Sequence, residues 1–155
     1  DRLRYLEHVL DGRLTTVASN SYNIAEAVST ADLVIGGVLI TGARAPKLVT
    51  REMISTMRDG SVVADVAVDQ GGCVESTRPT SYAKPTYVWE DVVHFAVTNM
   101  PGAVPRSASQ ALSASLIPYV ARLATGGWEQ EAALQAGVNV RGGEIVHPVV
   151  AAALA

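Results

Sequence analysis

Cysteine is almost absent. Cys73 is the one thiol in 155 residues, which excludes an internal disulfide framework and fits a reducing compartment, the cytoplasm. Long apolar runs are missing too: no stretch approaches the roughly 20 residues that a membrane-spanning helix needs, and no signal peptide is visible. Charged residues make up only 17%, the net charge is −3, and Lys and Arg are scattered. A nucleic-acid or anionic-membrane partner is therefore not expected. The three histidines, His8, His94 and His147, are far apart and offer no metal-ligand spacing. An initiating Met is lacking as well, and the abrupt opening leads us to expect that the natural beginning lies upstream. What is present is 48% apolar, enough for the core of one globular domain or part of one.

The apolar residues are patterned. Leu3, Leu6 and Leu10 follow helical spacing before Asp11-Gly12, and residues 14–18 read as a β-branched strand. Asn23, with Glu26 three positions on, predicts a capping-box start for a helix over 24–29. Residues 32–40 form a buried strand that ends in a Gly-containing loop, 41–45. Thr50 caps a helix carrying Met53, Ile54 and Met57, which stops at Asp59-Gly60. Residues 62–68 and 92–97 are the third and fourth strands. Strands alternating with short helices imply right-handed βαβ units, and so an α/β fold with a Rossmann-like parallel sheet.

After Pro105 the character changes. Leu112, Leu116, Tyr119, Val120 and Leu123 recur at helical spacing, with Pro118 expected to kink the helix and Gly126-Gly127 to end it. A helix over 128–136 follows, then a hairpin around Arg141-Gly142-Gly143, and a last short helix from Pro148. Trp89 and Trp128 read as packing anchors.

Residues 64–74, Ala-Asp-Val-Ala-Val-Asp-Gln-Gly-Gly-Cys-Val, carry the most chemistry. A strand runs into Asp69 and then paired glycines, the mark of a strand's carboxyl end where open α/β sheets bind ligands. Asp69 is either a proton-handling carboxylate or a loop Asp closing an Asx-turn, and the residues alone leave both open. Asp65, mid-strand, reads as a buried, hydrogen-bonded structural carboxylate. Cys73 has no base within sequence reach and reads as a buried thiol. The Gly-x-Gly-x-x-Gly loop of a dinucleotide site and its following acidic residue do not appear in full. With the first strands of such a sheet missing, the strand at 14–18 is expected to lack neighbours, and the chain not to fold stably as a separate domain.

Three stretches, 31–49 (Ala-Asp-Leu-Val-Ile-Gly-Gly-Val-Leu-Ile-Thr-Gly-Ala-Arg-Ala-Pro-Lys-Leu-Val), 68–73 (Val-Asp-Gln-Gly-Gly-Cys) and 99–105 (Asn-Met-Pro-Gly-Ala-Val-Pro), closely resemble bacterial alanine dehydrogenases in order and separation. The resemblance runs from the first residue to about Pro148. It implies oxidation of L-alanine to pyruvate and ammonia with NAD, by a homo-oligomer of hexameric type. It also implies that residues 1–105 are the later half of the NAD-binding Rossmann domain. Residues 106–155 would then be the interdomain helix and the C-terminal part of a second, substrate domain. The family's substrate-binding Arg and Lys and its catalytic His lie in an amino-terminal region with no counterpart here. Proton-translocating transhydrogenases share the architecture but resemble Glu-Asn-Gly-Gly where this chain has Asp69-Gln70-Gly71-Gly72. A non-catalytic remnant that completes an oligomer is the remaining alternative.

By the same resemblance Asp69 is the catalytic carboxylate, and the functional reading moves ahead of the Asx-turn. Cofactor contacts are implied for Val38 and Leu39 behind Gly36-Gly37, for Val66, Ala67, Val68 and Asp69, and for Val97, Thr98, Asn99 and Met100. Asn99 suits a carboxamide or ribose hydroxyl, and Met100 an adaptable apolar wall. Arg78, Arg2 and Ser19 are assigned to the cofactor on resemblance alone, the last two at its adenosine end.

Overall fold

The computed structural model describes residues 2–11 and 13–154. They divide into two units, residues up to 38 with 45–98, and residues 39–44 with 99–154.

At the centre of the first unit is a four-stranded sheet built from β1 (Leu33–Gly36), β2 (Val62–Asp65), β3 (Thr86–Trp89) and β4 (Val92–Phe95), in the order β1-β2-β4-β3. The strands β1, β2 and β4 are parallel, and β3 returns antiparallel at the edge. The mostly parallel sheet expected from the sequence is thus present. Its strands are shorter than expected: 32–40 contracts to Leu33–Gly36 and 62–68 to Val62–Asp65. The cause is mutual. Gly36 pairs with Asp65 at the last rung, and beyond it the Asp65 side chain draws the Ala67 N–H into a 3₁₀ turn, Val66–Gln70.

Strand β3 escaped the sequence reading because its hairpin turn is Glu90-Asp91. Both residues take positive φ, 49° and 55°, as a two-residue primed turn requires, yet neither is the usual Asn or Gly. The segment 14–18 is not a strand. No strand lies beside it among the described residues, and without a ladder an extended segment leaves its backbone to solvent. The Thr16 hydroxyl bonds the Glu7 carboxylate of α1 (Arg2–Val9) instead.

Helix α2 (Ser21–Thr30) starts earlier than expected. Its cap is Asn20, whose side chain accepts from Asn23 N–H at 2.8 Å, so Asn23 lies inside the helix. Thr50 caps α3 (Arg51–Ile54) as expected, accepting from Met53 N–H at 3.3 Å, and looser turns replace the second half of that helix. The core of this unit joins Val28, Val49, Ile54, Met57, Val63, Val74 and Val92, with Trp89 packed against it.

In the second unit α4 (Pro105–Thr125) begins with Pro105 in its first turn, where a missing N–H costs nothing, and continues helical through Pro118. The helix expected over 128–136 is split at Glu131, whose extended backbone separates a 3₁₀ turn, Trp128–Gln130, from α5 (Ala132–Ala136). Strands β5 (Val140–Arg141) and β6 (Glu144–Ile145) form the expected hairpin over Gly142-Gly143. His147 Nδ1 accepts from Val150 N–H at 3.4 Å at the start of α6 (Pro148–Leu154).

Candidate functional site

Parallel register brings the carboxyl ends of β1, β2 and β4 to one edge, the edge at which open α/β sheets take ligands. Gly37 and Val38 follow β1, Val66 to Asp69 follow β2, and Val97 and Thr98 follow β4 soon after. Apart from Gly37, these are seven of the residues assigned to catalysis or the cofactor from sequence. Asp69 is exposed in the Val66–Gln70 turn. Ala67 and Val68 are buried, and Val97 has no exposed surface at all. Val66 is half exposed and offers an apolar side chain.

Asp65 shapes this edge from beneath. Its side chain is completely buried, as the sequence suggested. Oδ1 accepts from Ala67 N–H at 3.1 Å, while Oδ2 accepts from Cys73 N–H at 3.0 Å and Val74 N–H at 3.2 Å. Three backbone donors replace the water that such a group loses on burial. The Cys73 thiol donates to Oδ1 at 3.6 Å. Burial, and then the neighbouring Asp65 charge, push that thiol above its ordinary pKa, so Cys73 is the inert buried thiol expected.

Two glycines make this packing possible. A Cβ on Gly36 would fall 2.4 Å from Cys73 Sγ, and one on Gly72, at φ 72°, would fall 2.5 Å from Asp65 Oδ2. The turn closes with Gly72 N–H on Ala67 O at 2.9 Å and Gly71 N–H on Val68 O at 3.0 Å. Lys47 fastens the far side, donating from Nζ to Gly71 O at 2.6 Å and Val74 O at 3.3 Å. Sequence reading passed over Lys47; its one signal was its place in the Ala-Pro-Lys-Leu-Val stretch.

Arg78 is not simply solvated. Its guanidinium lies 4.2 Å over the Tyr87 ring, and its N–H donates to Tyr87 Oη at 3.0 Å. Tyr87 in turn donates to Ser76 O at 2.8 Å and stacks on His94, ring centroids 5.0 Å apart. His94 is fully buried. A carbonyl can only accept, so Nδ1 carries the proton and donates to Val92 O at 3.0 Å, while Nε2 accepts from Ser76 Oγ at 2.8 Å. Loss of solvent lowers the His94 pKa from its ordinary 6.5 and favours the neutral ring.

The remaining candidates lie elsewhere in the chain. Arg2 belongs to α1, its guanidinium 5.0 Å from the Tyr5 ring centre, and Ser19 is exposed just before the Asn20 cap. Leu39, Asn99 and Met100 belong to the second unit. There Asn99 takes a left-handed conformation, φ 50° and ψ 53°, ahead of the 3₁₀ turn Met100–Ala103. It lines an open cleft with Pro101, Gly102, Pro105 and Leu112. Among the described residues no group of His, Cys, Asp and Glu could hold a metal ion, and no helix is long and apolar enough to cross a membrane.

Residues 1–148 match the family model described as alanine dehydrogenase/PNT, C-terminal domain. The chain belongs to this family. Alanine dehydrogenase of Halomonas elongata is 49% identical over 98% of the chain, and that of Lysinibacillus sphaericus 51% identical over 99%. The chain spans 42% of the length of each. A solved L-alanine dehydrogenase superposes over 99% of the chain and 43% of its own length, with a TM-score of 0.82 at 51% identity. A transhydrogenase from Sinorhizobium meliloti is more distant, with a TM-score of 0.69 at 30% identity over 95% of the chain and 40% of its own length. The fold of the family is thus the Rossmann-like α/β arrangement found here.

Proposed function

We propose that this chain supplies the nicotinamide-facing sheet edge and the catalytic carboxylate of an NAD-dependent L-alanine dehydrogenase. The observation that carries the reading is Asp69, exposed on a glycine-closed turn at the carboxyl edge of a parallel sheet. The edge fits the nicotinamide end of the cofactor. A Cβ built on Gly37 meets nothing within 4 Å, which leaves room for a ring or ribose against the backbone, and Val66 offers apolar surface. No two glycines stand two positions apart, so the chain has no Gly-x-Gly loop for the diphosphate, and the fit covers the nicotinamide half.

On this reading Val38, Val66 and Thr98 hold the nicotinamide and its ribose from the sheet edge, while the resemblance alone assigns cofactor contacts to the buried Ala67, Val68 and Val97 and to Leu39, Asn99 and Met100. Arg78, Arg2 and Ser19 serve the remainder of the cofactor. NAD held there would supply the acceptor for the hydride that leaves the α-carbon of L-alanine. Asp69 takes the proton released at the amine nitrogen as that carbon becomes trigonal, and a carboxylate at an open edge can return it to water. Residues 1–105 then belong to the cofactor domain and 106–155 to the interdomain helix and substrate domain. The lone thiol and the family resemblance support a cytoplasmic homo-oligomer, a hexamer.

The test is Asp69→Asn in the natural gene product, assayed with L-alanine and NAD by NADH absorbance. Asn keeps the volume and the capacity for an Asx-turn but cannot exchange a proton. We expect kcat to fall by about 10²-fold or more with NAD affinity little changed. Near-normal kcat in a folded variant leaves Asp69 a turn residue.

A further inference from the structure

Asp69 stands on a turn whose two ends meet at one side chain. The Asp65 carboxylate grips Ala67 on the near side through Oδ1, and Cys73 and Val74 on the far side through Oδ2. Only residues 68–72 lie between these anchors. Gly72 leaves room for Oδ2, and Gly36 leaves room for the Cys73 thiol that packs on Oδ1. Besides this carboxylate, the backbone bond from Gly72 N–H to Ala67 O joins the two ends, and Lys47 holds the far side.

We infer that Asp65 is a positioning residue for Asp69: its buried carboxylate ties the two ends of the turn together and fixes where the exposed carboxylate stands. The inference rests on the catalytic reading of Asp69 and adds what holds that group in place. It follows from acceptor count. All three backbone partners are donors, so both carboxylate oxygens must accept. Asp65→Asn has nearly the same shape but turns one of the two oxygens into a donor. Whichever way the amide faces, one arm then sets N–H against N–H and lets go. A displacement of about 1 Å at a reacting group can cost about 10²-fold in rate.

The natural gene product with Asp65→Asn tests this with two readouts. Folding is first verified by circular dichroism. We expect kcat to fall about 10- to 10²-fold, with KM for L-alanine and for NAD each within about threefold, the pattern of an interaction lost in the transition state. Cys73 is only 2% exposed, so its alkylation by a maleimide, read at the Cys73 peptide by mass spectrometry, reports release of the far arm. It should accelerate about tenfold or more, the scale of a local opening made easier by about 1.4 kcal/mol. Asp69→Asn should leave that alkylation rate unchanged.

If Asp65→Asn leaves kcat intact while Asp69→Asn lowers it, positioning is overturned. Unchanged Cys73 alkylation in folded Asp65→Asn overturns the clamp. If Asp69→Asn itself keeps normal kcat, the catalytic reading fails, and the clamp stands or falls on the alkylation rate. Should Asp65→Asn not fold, amide exchange in the unaltered protein decides. Ala67, Cys73 and Val74 should exchange at one slow shared rate, and rates that diverge more than about tenfold refute a common anchor.

Discussion

His94 has both ring nitrogens committed, one donating to Val92 O and one accepting from Ser76 Oγ, and no exposed surface. Protonating it in place would put a charge in the core and require the Ser76 hydroxyl to turn from donor to acceptor. Burial accordingly lowers its folded-state pKa below the ordinary 6.5. The sign follows: the unfolded chain binds the proton first, so stability is full above about pH 6.5 and is lost as pH falls from there through the folded-state value. One proton gives a slope of at most about 1.4 kcal/mol per pH unit. We expect Tm to fall between pH 7 and pH 5, and His94→Gln to flatten that part of the profile even if it lowers Tm overall. A profile unchanged by the substitution would assign the acid sensitivity to other groups. Because Tyr87 stacks on His94 and carries Arg78, acidification should also loosen the Arg78 loop.

Among the elements, the β3–β4 hairpin holds the most visible local conflict. Glu90 and Asp91 both sit at positive φ, which costs a non-glycine residue about 1 kcal/mol or more each. Replacing the pair with Asn-Gly should stabilise the hairpin by about 1 kcal/mol and raise Tm by about 2–4 °C, measurable by thermal melting. A lowered Tm would show that these side chains make contacts that outweigh the strain. The same turn explains why β3 was hidden: residues 86–89 were legible as β-prone only to a reader who expected a reversal at Glu-Asp. Asp69 was legible because a carboxylate, paired glycines and a preceding apolar strand form a local pattern. Lys47 was not, since its bonds reach carbonyls 24 and 27 positions away. Strand ends at Gly36 and Asp65 were likewise invisible, being set by a side chain that folds back onto residues 67, 73 and 74. Asn20 was overlooked as a cap because Asn23 and Glu26 offered the same signal three positions later.

At the scale of the whole chain, the second unit has helices but none of their residues is buried. Not one residue of α4, α5 or α6 is enclosed, and Leu112, Leu116, Ile117, Val120 and Leu123 of α4 are all exposed. An amphipathic helix gains most of its stability from covering its apolar face, and within its own unit α4 leaves that face open. The chain also lacks a Gly-x-Gly pair for the cofactor diphosphate and spans 42% of the length of its alanine dehydrogenase relatives. We therefore expect the 155-residue chain by itself to give no NADH from L-alanine and NAD above a no-protein control. Grafted in place of the matching segment of the Lysinibacillus sphaericus enzyme, to which it is 51% identical, it should restore turnover, and Asp69→Asn in the graft should remove it. The two halves of the experiment separate the possible errors. Turnover by the chain alone would show that its own residues bind the whole cofactor. A folded but inactive graft would show that the sheet edge, although built like that of the dehydrogenases, no longer supports their chemistry.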